Sequence, residues 1–205
     1  MTQQFSNDRS RQTVAQEAAR LMADHGINDF HAAKRKAAER LGLNNEGALP
    51  TNIEVEAALI EHRRLYNEDD HDAWIEKRRR ITLDLMNELE IYEPRLVGPL
   101  LAGTAAEDAP ANLHLFSDSA EDIAWFLNDR GVDYKPFERR LRLRRGQSAG
   151  FPGYKFDWQQ LPIEATVFNY DGLRQAPLSP VDGKPMKRAS IKKVKKLLRS
   201  DQDNV

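Results

Sequence analysis

The spacing of apolar residues changes about halfway along the chain. In the first half they recur every three or four positions, which is the period of a helix face. One stripe runs from Val14 to Met22 and ends at Gly26, and a second helix is predicted from Asp29, as N-cap, to Leu41. A third begins after Thr51 or Asn52, with Glu54 in its first turn.

A fourth, longer helix carries apolar residues from Trp74 to Leu89 and ends before Pro94. Beyond it the apolar runs become short, which indicates strands. The predicted strands are RLVGPLLAG, NLHLF, FERRLRLR, YKFDW and IEATVF. Ser119 is predicted to cap one intervening helix, with Asp122 as the capping-box acid, and a last helix is predicted over 188–199. FPGY and Asp171-Gly172 indicate turns.

This order predicts an α+β protein, because a run of helices precedes a run of strands. We expect a helical N-terminal region over 1–92, then an α+β domain over 93–199 with a mixed or antiparallel sheet and flanking helices. Residues 200–205 are predicted to be a disordered tail.

Composition excludes several classes of function. The chain has no cysteine, which rules out disulfides and thiolate chemistry and fits a reducing cytoplasm. No apolar run approaches the roughly 18 residues of a membrane span, so we expect no membrane partner. Neither a Walker A motif nor a dinucleotide fingerprint occurs. His114 lies between Leu113 and Leu115 on NLHLF, and we predict it to be exposed or at an interface.

Basic residues are concentrated in the second half, although the net charge is only −1. In RRLRLRR, Arg140, Arg142 and Arg144 would share one face of a strand, with Leu141 and Leu143 on the other. Three interpretations stay open for this face. It is solvated or closes onto the chain's own acidic helices, it binds phosphates, or it binds a protein partner.

The segment from 95 to 118 and the later IEATVF resemble the DNA polymerase beta-like nucleotidyltransferase superfamily. RLVGPLLAGTA is similar to the first strand and its turn, NLHLF to the second strand and IEATVF to the third. Nearly the whole chain resembles a group of uncharacterised proteobacterial proteins often labelled nucleotidyltransferase. The shared segments are AARLMADHGINDFHAAKRKAAERLG, LPTNIEVEAAL, RLVGPLLAGTA with NLHLF, and LRQAPLSPVDGKPMKRAS.

The resemblance implies that Gly103 and Thr104 hold a triphosphate. It also implies an Asp-x-Asp pair binding two Mg²⁺ ions, and a third carboxylate at Glu164. The Asp-x-Asp pair falls on Pro110 and Asn112, however, and a proline cannot ligate a metal while a neutral amide is a weak Mg²⁺ ligand. The acids that could replace the pair are Glu107, Asp108 and Asp118.

Three hypotheses follow. The first is a degenerate nucleotidyltransferase-like protein that binds a nucleotide, RNA or a protein partner without transferring nucleotides. The nucleotide-binding residues would then be Gly103, Thr104, Arg140, Arg142 and Arg144. The second is an active, Mg²⁺-dependent transferase with rearranged ligands among Glu164, Asp108, Asp118 and Asn112. The third is a helix-turn-helix-like nucleic-acid module in LMADHGINDFHAAKRKAAERLG. We expect the first.

Overall fold

The computed structural model describes residues 2–27, 29–43, 49–66 and 68–202. They belong to two compact units. One comprises residues 1–71 with 180–182, and the other comprises 72–179 with 183–205. No helix in these described ranges is long and apolar enough to cross a membrane.

The first unit contains three helices around one apolar core: α1 (Thr2–His25), α2 (Phe30–Arg40) and α3 (Asn52–Tyr66). Both caps predicted for this unit are confirmed. The Asp29 carboxylate accepts a hydrogen bond from the Ala32 amide at 2.6 Å. Thr51 and Glu54 form a capping box, in which each side chain accepts a hydrogen bond from the other residue's amide, at 3.2 and 2.6 Å. The core residues include Val14, Ala18, Leu21, Ala33, Ala37, Val55 and Leu59.

The second unit contains a five-stranded sheet with flanking helices, which confirms the α+β class. Its helices are α4 (Glu68–Glu88, in this unit from Asp72), α5 (Gly98–Ala102), α6 (Glu121–Asp129) and α7 (Ile191–Gln202). Its strands are β1 (Arg95–Val97), β2 (Ala111–Phe116), β3 (Tyr134–Arg142), β4 (Ser148–Trp158) and β5 (Leu161–Phe168). Short 3-10 helices cover Glu90–Tyr92, Arg144–Gly146 and Tyr170–Leu173.

The strand order is β1-β2-β5-β4-β3. Only β2 and β5 pair in parallel, with Asn112 opposite Glu164 and His114 opposite Thr166, and the other neighbours are antiparallel. Side chains alternate between the two sheet faces. Leu113, Leu115, Ile163 and Ala165 enter the apolar core, so the residues between them point to the opposite face.

Helix α4 packs against the sheet of the second unit. Ile75, Leu85, Met86 and Leu89 belong to the same core as the sheet residues. The predicted helical N-terminal region, residues 1–92, therefore contributes side chains to the core of the second unit. At the other end, α7 continues to Gln202, and the last residues of the predicted tail, 203–205, lie outside the described residues.

Three local predictions were wrong. RLVGPLLAG is a strand only over 95–97, because Gly98 has a φ of +72° and begins α5, with Pro99 in the first turn. FPGY lies inside β4 and is not a turn. Ser119 does not cap α6, since its hydroxyl donates to Glu121 at 2.6 Å, while Ser117 bonds the Asp122 carboxylate at 2.5 Å.

Candidate functional site

Gly103 and Thr104 end helix α5 and do not follow the first strand directly. Gly103 adopts a φ of +79° as the C-cap, and its amide bonds the Pro99 carbonyl. The Thr104 amide donates to the same carbonyl at 2.8 Å, and Thr104 is 7% exposed. Both amides thus bond one carbonyl in the last turn of a helix.

Two arginines of α4 hold this turn and the loop after it. Arg79 donates from Nε to the Leu100 carbonyl and from Nη2 to the Leu101 carbonyl, each at 3.1 Å. Arg78 donates to the carbonyls of Glu107, at 2.7 Å, and Ala109. Burial lowers the pKa of Arg78, while the charge of Asp108 acts in the opposite direction. The loop that carries the candidate acids is therefore held to helix α4, because arginines of the helix donate hydrogen bonds to the backbone carbonyls of the loop.

The sheet face opposite the apolar core is called the open face below, and Asn112 and Glu164 come together on it. Arg139 bridges them: Nη1 donates to Asn112 Oδ1 at 2.9 Å, and Nη2 pairs with the Glu164 carboxylate. The other oxygen of Glu164 lies 2.8 Å from Lys155 Nζ. We call these four residues, Asn112, Arg139, Lys155 and Glu164, the Glu164 cluster. Burial acts to raise the pKa of Glu164, but Lys155 and Arg139 outweigh it and the pKa is lowered.

Beside this cluster, His114 is buried, at 2% exposed. Arg188 donates from Nε to His114 Nδ1 at 3.1 Å, so Nδ1 is an acceptor and the imidazole is neutral. Burial, with the charges of Arg188 and Arg139, lowers the pKa of His114 well below its usual value. The prediction of an exposed or interface histidine is wrong, because Arg188 and Phe168, whose ring centre lies 4.6 Å from that of His114, cover it.

Arg188 is a half-buried cation. Its guanidinium lies 5.1 Å from the ring centres of both Phe116 and Phe168, and Nη1 donates to the Gly172 carbonyl at 2.6 Å. Its Nη2 is buried and has no hydrogen-bond partner among the described residues. Burial and the charge of Arg95 lower its pKa to about 10.

The charge on this sheet face is therefore mainly positive. Arg95, Arg139, Lys155 and Arg188 are at or beside it, while the strands contribute two carboxylates to it, Glu164 and, near the end of β4, Asp157. Arg95 also pairs with Glu93 at 3.0 Å. Such a face attracts anions.

The arginines singled out from the sequence point the other way. Arg140 and Arg142 alternate with Arg139 along β3, so they lie on the opposite face, next to Gly150 and Ser148 of β4. Both are exposed, and neither forms an ion pair within the described ranges. Arg144 follows the strand, in the 3-10 helix. Gly103 and Thr104 lie at the end of α5, so the predicted set does not form a single site on the sheet.

The replacement carboxylates do not join Glu164 either. Asp108 acts electrostatically on Arg78, and Asp118 lines a shallow cavity of about 230 Å³ with Phe151 and Phe168. In the part of the chain that the structure describes, no three His, Asp or Glu side chains are grouped so that they could hold a metal ion.

The sequence interpretation missed Arg139 and Lys155. Alternation within RRLRLRR does place Arg139 apart from Arg140 and Arg142. Its contact with Glu164, 25 residues away, has no local signal. Comparison with known protein families, characterised proteins and solved structures found no match to this chain.

Proposed function

We propose that the second unit binds the phosphate groups of a nucleotide or RNA at the Glu164 cluster and does not transfer nucleotides. The observation that carries the proposal is the excess of cations over carboxylates on the open face of the sheet. Arginine and lysine bind phosphate oxygens through charge-assisted hydrogen bonds. In terms of the resemblance, this is a degenerate nucleotidyltransferase-like protein in which cations stand near the expected metal ligands.

The contacts of Glu164 support binding without transfer. Both its oxygens already face cations, and Asn112 offers an amide that is engaged with Arg139 and with the Pro110 carbonyl. A two-metal reaction needs several ionised oxygens around the metals. The Glu164 cluster supplies only this one carboxylate.

The binding test compares two charge-matched variants of the same sheet. Arg139→Gln/Lys155→Gln removes two cations from the open face, and Arg140→Gln/Arg142→Gln removes two from the opposite face of β3. Binding of a nucleoside triphosphate and of a short single-stranded RNA is measured by fluorescence anisotropy over a salt series. The first variant should weaken RNA binding and reduce the slope of log affinity against log salt by about 1.4, for two lost phosphate contacts.

The matched variant should bind nearly as the parent does. If it loses affinity and the first variant does not, the ligand lies on the arginine face predicted from the sequence, and the proposed site is wrong. If neither variant changes affinity, phosphate binding by this sheet is refuted.

The variant Glu164→Gln distinguishes phosphate binding from nucleotide transfer, because it should strengthen the first and abolish the second. Removing a negative charge from a cationic anion site should strengthen phosphate binding severalfold, because repulsion is lost. In a metal-dependent transferase the same change should abolish nucleotide incorporation with Mg²⁺ or Mn²⁺. Turnover by the parent that disappears in Glu164→Gln would establish the transferase alternative.

A further inference from the structure

Helix α6 presents an exposed tryptophan between two acids. Trp125 is 64% exposed, and Glu121 and Asp129 lie four residues before and after it, so all three occupy one stripe of the helix. We call Glu121, Trp125 and Asp129 the acidic stripe. Neither acid forms an ion pair with another described residue, and the Glu121 carboxylate accepts hydrogen bonds from the Ser119 hydroxyl and from its own amide.

The surroundings of the stripe add apolar surface. The Tyr92 hydroxyl donates to the Asp122 carbonyl at 3.2 Å, and the rings of Tyr92 and Phe126 meet edge to face at 6.0 Å. Ile91, the residue before Tyr92, is 71% exposed. Exposed aromatic residues with apolar neighbours are typical anchors of protein interfaces.

Helix α7 presents a surface of complementary charge. Val194 and Leu198 are buried in the core of the second unit. The exposed residues are Lys192, Lys193, Lys195, Lys196 and Arg199. Within the described ranges none of these five cations forms an ion pair. Both charged surfaces are thus open to another molecule.

The charged residues of α7 also have a spacing similar to that of the acidic stripe on α6. Lys192, Lys196 and Arg199 follow one another at four and three residues, so they share a side of α7, which we call the basic stripe. At 1.5 Å per residue it spans about 10.5 Å, and Glu121 to Asp129 spans about 12 Å. Two helices placed side by side would therefore bring a cation to each acid and a lysine onto the indole ring.

We infer that this chain self-associates by placing the acidic stripe of one copy against the basic stripe of a second copy. Charge complementarity selects the pairing, and Trp125 supplies the apolar anchor, with Lys196 over its ring. This contact between copies involves neither the open sheet face nor a phosphate ligand, so it is independent of the proposed function.

The first test is analytical ultracentrifugation of the full chain over a concentration series at low and at high salt. Reversible association should be present at low salt and weaken at high salt, since exposed charges are screened. Trp125→Ala should weaken it at least about tenfold, as expected for a central aromatic anchor. Ile60→Ala, at another exposed apolar residue on α3, is the matched control and should leave it unchanged.

Charge reversal tests the pairing itself. Lys192→Glu/Arg199→Glu and Glu121→Lys/Asp129→Lys should each weaken association, and an equimolar mixture of the two variants should restore it as a mixed complex. A monomer at every concentration, an unchanged Trp125→Ala variant, or a mixture that does not associate would each overturn the inference. All six substituted side chains are exposed, so circular dichroism should match the parent.

Discussion

At the scale of single residues, the helix caps and His114 differ in how far along the chain their hydrogen-bond partners lie. Asp29 and Thr51 were predictable because each bonds an amide three residues away. His114 accepts a hydrogen bond from Arg188, 74 residues later in the chain. Alternation along a strand predicts that His114 faces away from Leu113, as it does, but not what covers that face. The same limit applies to Glu164 and its two cations.

His114 should make stability depend on pH. Its pKa in the folded protein is well below the unfolded value of about 6.5, so the unfolded state binds the proton more readily. As pH falls below about 6.5, this group should lower the free energy of unfolding by up to about 1.4 kcal/mol per pH unit, until the folded pKa is reached. His114→Gln keeps an acceptor for Arg188 and removes the titration. Its stability should therefore fall less than the parent's between neutral and mildly acid pH, as measured by urea denaturation.

The control for this prediction is His31→Gln, which replaces an exposed histidine of α2. It should retain the parent's dependence on pH. Parallel pH profiles for His114→Gln and the parent would contradict the assignment of a buried neutral imidazole.

At the scale of secondary structure, strands β2, β3 and β5 were predictable. In each of them, apolar residues either alternate with polar ones or form a short continuous run. The strand prediction for the whole of RLVGPLLAG was wrong because an apolar run fits a buried strand and a buried helical turn equally well. Gly98 and Pro99 were the local signal that separates the two. The turn prediction for FPGY was wrong for the opposite reason, since its Pro and Gly are typical of turns, whereas Gly153 here allows close packing between strands.

Gly153 should be needed for that packing. A Cβ at this position would lie 2.5 Å from the Ala165 carbonyl oxygen and 2.6 Å from the Phe137 ring, so the strands on both sides of β4 would have to move. Gly153→Ala should destabilise the protein by about 2–3 kcal/mol, the usual cost of overpacking. The measurement is the free energy of unfolding in urea.

Gly150→Ala is the control on the same strand. A Cβ there would meet the carboxylate end of Glu138, at 2.6 Å, and that side chain is flexible. We expect a loss below about 1 kcal/mol. Equal losses for the two alanine variants would show that the glycines of β4 serve chain conformation and not strand packing.

At the scale of the whole molecule, the order of helices before strands was enough to predict the α+β fold class. The same order, however, grouped α4 with the helices of the N-terminal region. Its stripe from Trp74 to Leu89 is a helical pattern, and such a pattern does not say which surface it covers. In the structure that surface is the core of the sheet, formed by residues more than 20 positions further along, such as Leu113 and Leu115.

The two apolar cores share no residue, which leads to a prediction about unfolding. All three tryptophans, Trp74, Trp125 and Trp158, belong to the second unit, so tryptophan fluorescence reports on that unit. Far-ultraviolet circular dichroism reports on the helices of both. Leu21→Ala, in the core of the first unit, should cost about 2–5 kcal/mol there. It should shift part of the dichroism transition to lower urea and leave the fluorescence transition nearly in place.

Leu113→Ala is the matched control, because it truncates an equally buried leucine in the core of the second unit. It should move the fluorescence transition. Separate responses to the two variants would mean that each core unfolds as its own cooperative unit, which two-state behaviour of the whole chain does not allow. If Leu21→Ala shifts fluorescence and dichroism together, the chain unfolds as one cooperative unit despite its two cores, and this prediction is wrong.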